Sequence, residues 1–225
     1  MKQNKKIAIL GATGVTGNAV VREALRRGYD VHALARTPSK LRITDPALKV
    51  LEGSSDDLSV VLELLTGCCA VISTLGPGFD KSIARKMVST AATRNVIQAM
   101  NQLKIKRYVV MSGASVVMPA DKTTSFANII TRFVFPLLLG DILRDKCSEY
   151  ELLKLSNLDW TLVRCPRLRE AEGLSRLVIQ HTKHNTLWVD KTSLAEFLVS
   201  QIESDKFLRT GIFAFSKLRR DDGLS

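Results

Sequence analysis

The stretch that decides the fold is IAILGATGVTGNAVV, residues 7–21. Four apolar residues lead into glycines at every third position, Gly11, Gly14 and Gly17, and an amphipathic pattern follows them. The apolar run predicts a β-strand, and the spacing of apolar residues after the glycines predicts a helix over about 15–27. The chain must therefore turn sharply from strand to helix at the glycines.

Each glycine has its own reason in such a turn. Gly11 permits the tight turn, Gly14 leaves room for a phosphate beside the backbone, and Gly17 lets the helix pack closely on the sheet. The free N–H groups and the positive dipole end of the helix favour a pyrophosphate, to which Thr13 and Thr16 can add hydroxyl donors. The GxxGxxG spacing is weak evidence alone, but its place between a strand and a helix predicts a dinucleotide site.

The end of the second predicted strand indicates which dinucleotide is bound. The segment HALARTPSK, residues 32–40, contains no acid to bind the ribose hydroxyls of NAD. It contains Arg36 and Lys40, whose charges suit the 2′-phosphate of NADP. We therefore predict NADP(H) as the cofactor; the alternative is that Arg36 only contacts solvent.

Strand-like and helix-like segments alternate along the rest of the chain. After KIAILG, the predicted strands are DVHALAR, LKVLEG, AVISTLG, RYVVMSG, LDWTLVRC and TGIFAFSK, with a short one in TLWVD. Further helices are predicted over about 56–67, 82–103, 143–156 and 191–204. This alternation predicts an α/β fold with a doubly wound parallel sheet, the Rossmann fold. A chain of 225 residues fits one domain, 1–225, with a small C-terminal substrate-side region.

Composition restricts the functional classes. Hydrophobic residues make up 45% and charged residues 24%, as in ordinary globular proteins, and the formal net charge is +11. The basic charge is dispersed, and no basic motif is interleaved with aromatics, so nucleic-acid binding ranks last among the hypotheses. The four cysteines have no metal-ligand spacing, which predicts no metal site and reduced thiols in the cytoplasm. The most apolar later stretch, 126–140, contains Arg132 and Pro136 and is too short to span a membrane, which predicts a buried or lid-like helix.

Tyr150 and Lys154 have the YxxxK spacing of a dehydrogenase acid–base pair. The pair lies at the far end of its predicted helix, just before the strand that contains Trp160, whereas a nicotinamide should lie by the helix start. We therefore interpret the spacing as chance.

The ordered motifs GATGVTG, ALARTPSKL, AVISTLGPG, RYVVMSGAS, LKLSNLDWTLVRCPRL and VDKTSLAEFLV resemble a known family over nearly the whole chain. The chain is similar to atypical short-chain dehydrogenase/reductases with an NAD(P)H-binding, NmrA-like domain, and most of all to their biliverdin reductase B/flavin reductase group. One departure concerns the adenine contacts. The family often has GD after the third strand, whereas here Ser54 replaces the acid, leaving open whether Asp56 or Asp57 takes its role.

The resemblance implies site residues position by position. The pyrophosphate would be held by Gly11, Thr13, Gly14, Val15, Thr16 and Gly17. Arg36 and Lys40 would bind the 2′-phosphate, Leu75 and Gly76 would line the ribose and nicotinamide path, and Pro166 would border the nicotinamide. Ser112, at the end of the fifth strand, and Lys146, at a position that is lysine or histidine in related reductases, are the catalytic candidates, as proton donors or orienters; their alternative is a structural role.

Two functional hypotheses follow. The leading one is an NADPH-dependent reductase that transfers a hydride to a flavin, quinone or tetrapyrrole-like acceptor, because such reductions require mainly that the protein position the rings and exclude water. The alternative is a catalytically weak NADP(H)-binding sensor that acts through a protein partner, which the lack of a functional tyrosine–lysine pair favours.

Overall fold

The strands and helices follow the predicted alternation closely. The structure, a computed structural model, describes residues 5–76, 87–116, 118, 135–170, 175–182 and 186–218. The strands in these ranges are β1 (Lys6–Leu10), β2 (Asp30–Ala35), β3 (Leu48–Glu52), β4 (Ala70–Ser73), β5 (Arg107–Gly113), β6 (Asp159–Cys165), β7 (Arg167–Arg169), β8 (Ser175–Gln180), β9 (Trp188–Asp190) and β10 (Thr210–Leu218). The α-helices there are α1 (Val15–Arg26), α2 (Leu58–Leu65), α3 (Val88–Gln102), α4 (Phe135–Leu155) and α5 (Lys191–Ser200).

The central sheet has the strand order β3-β2-β1-β4-β5-β6-β10-β8. All neighbouring pairs from β3 to β10 are parallel, and β1 lies between β2 and β4, so the direction of winding reverses there. This confirms the predicted α/β Rossmann-like fold. Two strands were not predicted from the sequence pattern, namely β7 and β8, and β8 pairs antiparallel with β10 at the edge. The short strands β7 and β9 form a separate parallel pair.

Both faces of the sheet are buried, which explains the nearly continuous apolar strands. Along β1, Ile7 and Ile9 belong to a core beneath α1 and α5, whereas Ala8 and Leu10 belong to the core beneath α2, α3 and α4. Alternate side chains of a strand point to opposite faces, so one short strand serves both cores. The carboxyl ends of the parallel strands are thereby fixed at one edge.

The helices differ in how their first turns are capped. The Asp57 carboxylate accepts from the N–H of Ser59 at the start of α2, and Asp190 does the same from Ser193 at the start of α5. Helix α1 has Gly14 at its N-cap, a residue with no side chain to accept a hydrogen bond from the first turn. Its first-turn amides are therefore available to a ligand.

Two helix boundaries differ from the predictions. Helix α3 begins at Val88, because its N-cap residue Met87 has a left-handed backbone with φ of 51° and so interrupts the helix predicted over 82–103. Residues 82–86 lie outside the described residues. Helix α4 extends from Phe135 through the segment predicted as 143–156, while residues 126–134 of the apolar stretch also lie outside the described part. Within the described ranges, none of the helices combines the length and apolarity that crossing a bilayer would require.

Candidate active site

The candidate site is a cavity of about 280 Å³ at the carboxyl edge of the sheet. It lies where β1, β2, β3 and β4 end and α3 begins. Its lining residues are Gly11, Thr13, Leu34, Ala35, Arg36, Gly53, Ser54, Ser55, Asp56, Leu75, Gly76, Val88 and Ala91. An elongated site across the reversal point of a doubly wound sheet is where such folds bind dinucleotides.

The glycine turn between β1 and α1 is closely packed. Gly11 has φ of +79°, and a Cβ there would lie 2.8 Å from Thr74 Oγ1. A Cβ on Gly17 would lie 2.7 Å from the Gly11 carbonyl carbon and closer still to its oxygen. Gly14 is different, since a Cβ there would meet only the Gly11 oxygen, at 3.3 Å. Gly11 and Gly17 are thus required by the fold, and Gly14 leaves open space beside the first turn of α1.

Two residues next to the turn complete it. The Thr74 hydroxyl donates to the carbonyls of Leu10 and Gly11, at 3.1 and 3.3 Å, and so fastens the turn to the end of β4. Sequence reasoning missed Thr74, since only its three-dimensional neighbours reveal its role. Thr16 was predicted, and its hydroxyl is buried with no hydrogen-bond partner among the described residues. An unsatisfied buried hydroxyl at an uncapped helix start suits a phosphate-binding turn.

The β2 and β3 ends form the other half of the cavity. Arg36 lies exposed at its edge, whereas Lys40, in a short 3₁₀ turn after β2, is exposed and does not line the cavity. Of the two acids left open by the sequence, Asp56 lines the cavity. Asp57 instead caps α2, and its hydrogen bonds from Ser59 lower the pKa of its carboxyl.

A residue of α3 supports this loop. Asn95 Nδ2 donates to the carbonyl of Ser55 at 3.1 Å and ties the β3 loop to the helix opposite. Ser54 and Ser55 both line the cavity at this point. Sequence reasoning missed Asn95 because nothing in its local pattern distinguishes it from any polar helix position.

Lys146 is buried on α4 and contacts the ends of two strands. Its Nζ donates to the carbonyl of Leu75 at 2.7 Å, to Glu149 Oε2 at 2.9 Å and to the carbonyl of Met111 at 3.5 Å. Glu149 is fully buried; burial raises the pKa of its carboxyl, and the neighbouring ammonium opposes that shift. The Lys146 ammonium therefore holds backbone next to the cavity and does not project freely into it.

Ser112 and Pro166 lie beyond the cavity lining, near the ends of β5 and β6. Strand alternation places Ser112 on the same face of β5 as Tyr108 and Val110, the face covered by α4. The Ser112 hydroxyl is buried and has no partner among the described residues. Pro166 is half-buried between β6 and β7. The structure thus brings Ser112 and Lys146 to adjoining positions, since Lys146 reaches the carbonyl of the preceding residue, Met111.

Behind this edge, Arg164 of β6 is buried almost completely. Its guanidinium donates to the carbonyls of Val116 and Gly211, at 2.9 and 3.3 Å, and lies 3.9 Å from the centre of the Phe213 ring. Arg164 therefore holds the segment that follows β5 against the sheet.

The YxxxK pair lies away from the cavity. Tyr150 is buried and packs edge-on against Trp160, with ring centres 6.1 Å apart. Lys154 is on the outer side of α4, where it pairs with Glu151 at 2.9 Å. As for metals, the described residues include no group of three or more His, Cys, Asp or Glu side chains placed to hold one.

Comparison with known proteins agrees with this geometry. A family model described as NAD(P)H-binding matches residues 11–205. An uncharacterized chloroplastic protein of Arabidopsis thaliana is 26% identical over 215 residues, which cover 92% of this chain and 73% of that protein. The oxidoreductase aflX of Aspergillus parasiticus is 29% identical over 163 residues, which cover 67% of this chain but 59% of that protein. A crystal structure of a Veillonella parvula short-chain dehydrogenase/reductase in complex with NADP has a TM-score of 0.75 at 18% identity, with 95% of each chain covered, which shows the shared fold.

Proposed function

Because the chain belongs to the NAD(P)H-binding family and has the Rossmann-like fold of the atypical short-chain dehydrogenase/reductase and NmrA-like type, we propose that it is an NADPH-dependent reductase. Its acceptor in this proposal is a flavin, quinone or tetrapyrrole-like molecule. The observation that carries the proposal is the cavity at the reversal point of the sheet, with the uncapped start of α1 on one side and Arg36 at the end of β2. The membership in the biliverdin reductase B/flavin reductase group stays a prediction.

The residues present fit NADPH along the cavity. The first-turn amides of α1 and the unpaired Thr16 hydroxyl would bind the pyrophosphate. Arg36 would bind the 2′-phosphate, because a guanidinium pairs well with phosphate oxygens and no acid at the end of β2 opposes it. Asp56 lines the cavity and would contact the adenine half, taking the role of the acid that the family often has where this chain has Ser54. Lys40 lies outside the cavity lining, so we assign it a longer-range electrostatic role.

The nicotinamide half would lie over the ends of β4 and β5, on the opposite side of β1 from Arg36. Leu75 and Gly76 form the cavity wall there, and Pro166 lies further along the same edge. When bound, NADPH supplies the hydride for the reduction. Two-electron reduction of the acceptor also takes up a proton, and the buried hydroxyl of Ser112 is our candidate to pass it on. Lys146 is our candidate orienter, because its N–H groups already point to three protein oxygens.

Steady-state turnover tests the proposal. We expect the purified chain to oxidise NADPH when FMN, a soluble quinone or biliverdin is offered, each in a separate assay. Ser112→Ala should lower kcat at least about tenfold, whereas Ser148→Ala, at a serine of α4 that does not line the cavity, serves as the control. Tight NADPH binding without turnover on any of the acceptors would refute the reductase.

A second function is favoured by one observation, the burial of Tyr150 against Trp160, far from the cavity. A chain without that acid–base pair at its cofactor can act as an NADP(H)-responsive sensor that binds a protein partner. Such a sensor requires a partner whose affinity differs between NADP⁺ and NADPH, since a ligand shifts a state only by differential binding. Equal affinities would contradict it.

The remaining assignments stay predictions. The expected reduced thiols are the basis for predicting a cytoplasmic location. The Arabidopsis relative, in contrast, is described as chloroplastic. We also propose a small-molecule acceptor, and not a nucleic acid, as the binding partner. Steep loss of any oligonucleotide binding with added salt would separate nonspecific contact with the basic surface from cofactor binding.

A further inference from the structure

Glu149 is a buried carboxylate for which the proposed chemistry has no use. It lies on α4 with none of its surface exposed, and it accepts from Lys146 Nζ at 2.9 Å and from Thr93 Oγ1 at 3.2 Å. Buried ion pairs contribute little net stability, because desolvation offsets their attraction. The placement of this pair therefore calls for an explanation other than stability.

The other contacts of Lys146 supply one. Its ammonium reaches the carbonyl of Leu75 at 2.7 Å and that of Met111 at 3.5 Å, so it joins the ends of β4 and β5. Leu75 and Gly76 line the cavity, and the Lys146 side chain passes so close to Gly76 that a Cβ there would lie 3.7 Å from Cε. The ion pair is thus the direct support of the cavity wall on the β4 side.

The residue before Lys146 supports the neighbouring wall. The Asp145 carboxylate accepts from the backbone N–H groups of Ser89 and Thr90, at 2.9 and 2.8 Å, and so caps the start of α3. Val88 and Ala91 of that same turn line the cavity. One turn of α4 therefore holds both the β4 loop and the start of α3, two segments of the cavity wall.

We propose that Glu149 is a positioning residue that fixes the Lys146 ammonium on the Leu75 carbonyl and so holds the wall for the nicotinamide half of the cofactor. Glu149 contacts neither cofactor nor acceptor in this assignment, and it acts only through Lys146. The inference rests on the proposed function, because it concerns the half of NADPH that lies beyond the pyrophosphate. The adenine half would lie at the ends of β2 and β3, and among the described residues Glu149 makes no hydrogen bond to either strand.

Calorimetric binding of two ligands separates the two halves. Full-length Glu149→Gln, which keeps the side-chain shape but removes the charge, is titrated with NADPH and with 2′,5′-ADP, a fragment that lacks the nicotinamide. We expect NADPH affinity to fall about tenfold, in line with the loss of a charge-assisted hydrogen bond, and 2′,5′-ADP affinity to stay within about twofold. The matched control is Glu151→Gln, since Glu151 forms an ion pair of the same i,i+3 spacing, in the opposite chain order, with Lys154 on the exposed face of the same helix.

A double variant covers the case in which Glu149→Gln is poorly folded. Lys146→Met with Glu149→Leu replaces the pair by apolar residues, a change that usually preserves stability. We expect a single cooperative unfolding transition, at a lower urea midpoint because the Leu75 and Met111 carbonyls lose their donor, together with an NADPH affinity that is still about tenfold weaker. Three results would overturn the inference while leaving the proposed function intact. They are a wild-type NADPH affinity in the double variant, the same NADPH affinity for Glu149→Gln and Glu151→Gln, and an equal loss of affinity for NADPH and 2′,5′-ADP. A wild-type chain that binds neither ligand would overturn both.

Discussion

Replacing Gly17 by alanine should test whether the glycine motif is required by the fold or only by the ligand. The new Cβ would lie 2.7 Å from the Gly11 carbonyl carbon and 2.8 Å from Thr74 Oγ1. Carbon–carbon contacts are optimal at about 3.5–4.0 Å, so the overlap is about 1 Å. Because most of it falls on backbone, side-chain rotation cannot relieve it, and the start of α1 must move away from β1.

The expected cost follows from this geometry. Overpacking of a well-packed core costs about 1–3 kcal/mol, and we expect the upper end, about 3 kcal/mol, since the clash is with the main chain. With a urea slope of about 3 kcal/mol per molar, the unfolding midpoint of the cofactor-free protein should fall by about 1 M. The measurement is equilibrium urea unfolding followed by circular dichroism.

Gly14→Ala is the matched control within the same motif. Gly14 has φ of −74°, which alanine adopts freely, and its Cβ would meet only the Gly11 oxygen, at 3.3 Å. Alanine makes the unfolded chain less flexible, which stabilises the fold, but it is a poorer N-cap residue than glycine, which destabilises α1. The free energy of unfolding of Gly14→Ala should therefore stay within about 1 kcal/mol of wild type. NADPH binding should weaken, since the methyl group would lie where the pyrophosphate approaches the backbone. Equal midpoints for the two variants would refute this account of the motif.

Three further predictions concern charge, packing and thiol reactivity. Arg36→Asp should weaken NADPH binding about 100-fold and NADH binding about threefold or less, as measured by fluorescence titration. An unchanged preference for NADPH over NADH would mean that another cation binds the 2′-phosphate. Arg164→Met should lower the free energy of unfolding by about 3 kcal/mol in urea, because two buried carbonyls lose their donor, and a loss under about 1 kcal/mol would contradict this. Burial raises the pKa of Cys68 and Cys165 to about 12, so both remain protonated thiols at about pH 8. A disulfide reagent should therefore modify exposed Cys69 first in the native protein, and it should modify all four cysteines only in urea. Equal rates for the four cysteines in the native protein would contradict the burial.

The cofactor end of the fold could be predicted because its backbone geometry depends on residue type. Only glycine readily adopts the φ of +79° at Gly11, and only glycine fits at Gly17, so this geometry is visible in the sequence. The starts of α2 and α5 also depend on residue type, because Asp57 and Asp190 occupy the N-cap positions that short polar side chains prefer.

The edge of the sheet was harder to predict, for a different reason. The segment 175–180 is partly buried along most of its length, without the clear apolar alternation that identifies a strand, and only its pairing with β10 makes it one. Residues 167–169 form a strand of three residues that, within the described ranges, pairs only with β9. Strands this short have little local sequence signal, so whether they form depends on the strands with which they pair.

The nicotinamide end depends most of all on packing between distant segments. Lys146 finds its acceptors 71 and 35 positions away in sequence, at Leu75 and Met111. Its local partner Glu149 lies three residues further along α4, and Glu151 and Lys154 have the same i,i+3 spacing. One pair is buried beside the cavity, and the other is exposed to solvent. The spacing is the same, and the rotation of α4 against β4 and β5 gives the two pairs different surroundings. A rotation of α4 about its own axis, with its sequence unchanged, would therefore leave the adenine half of the site intact and remove the support of the nicotinamide half.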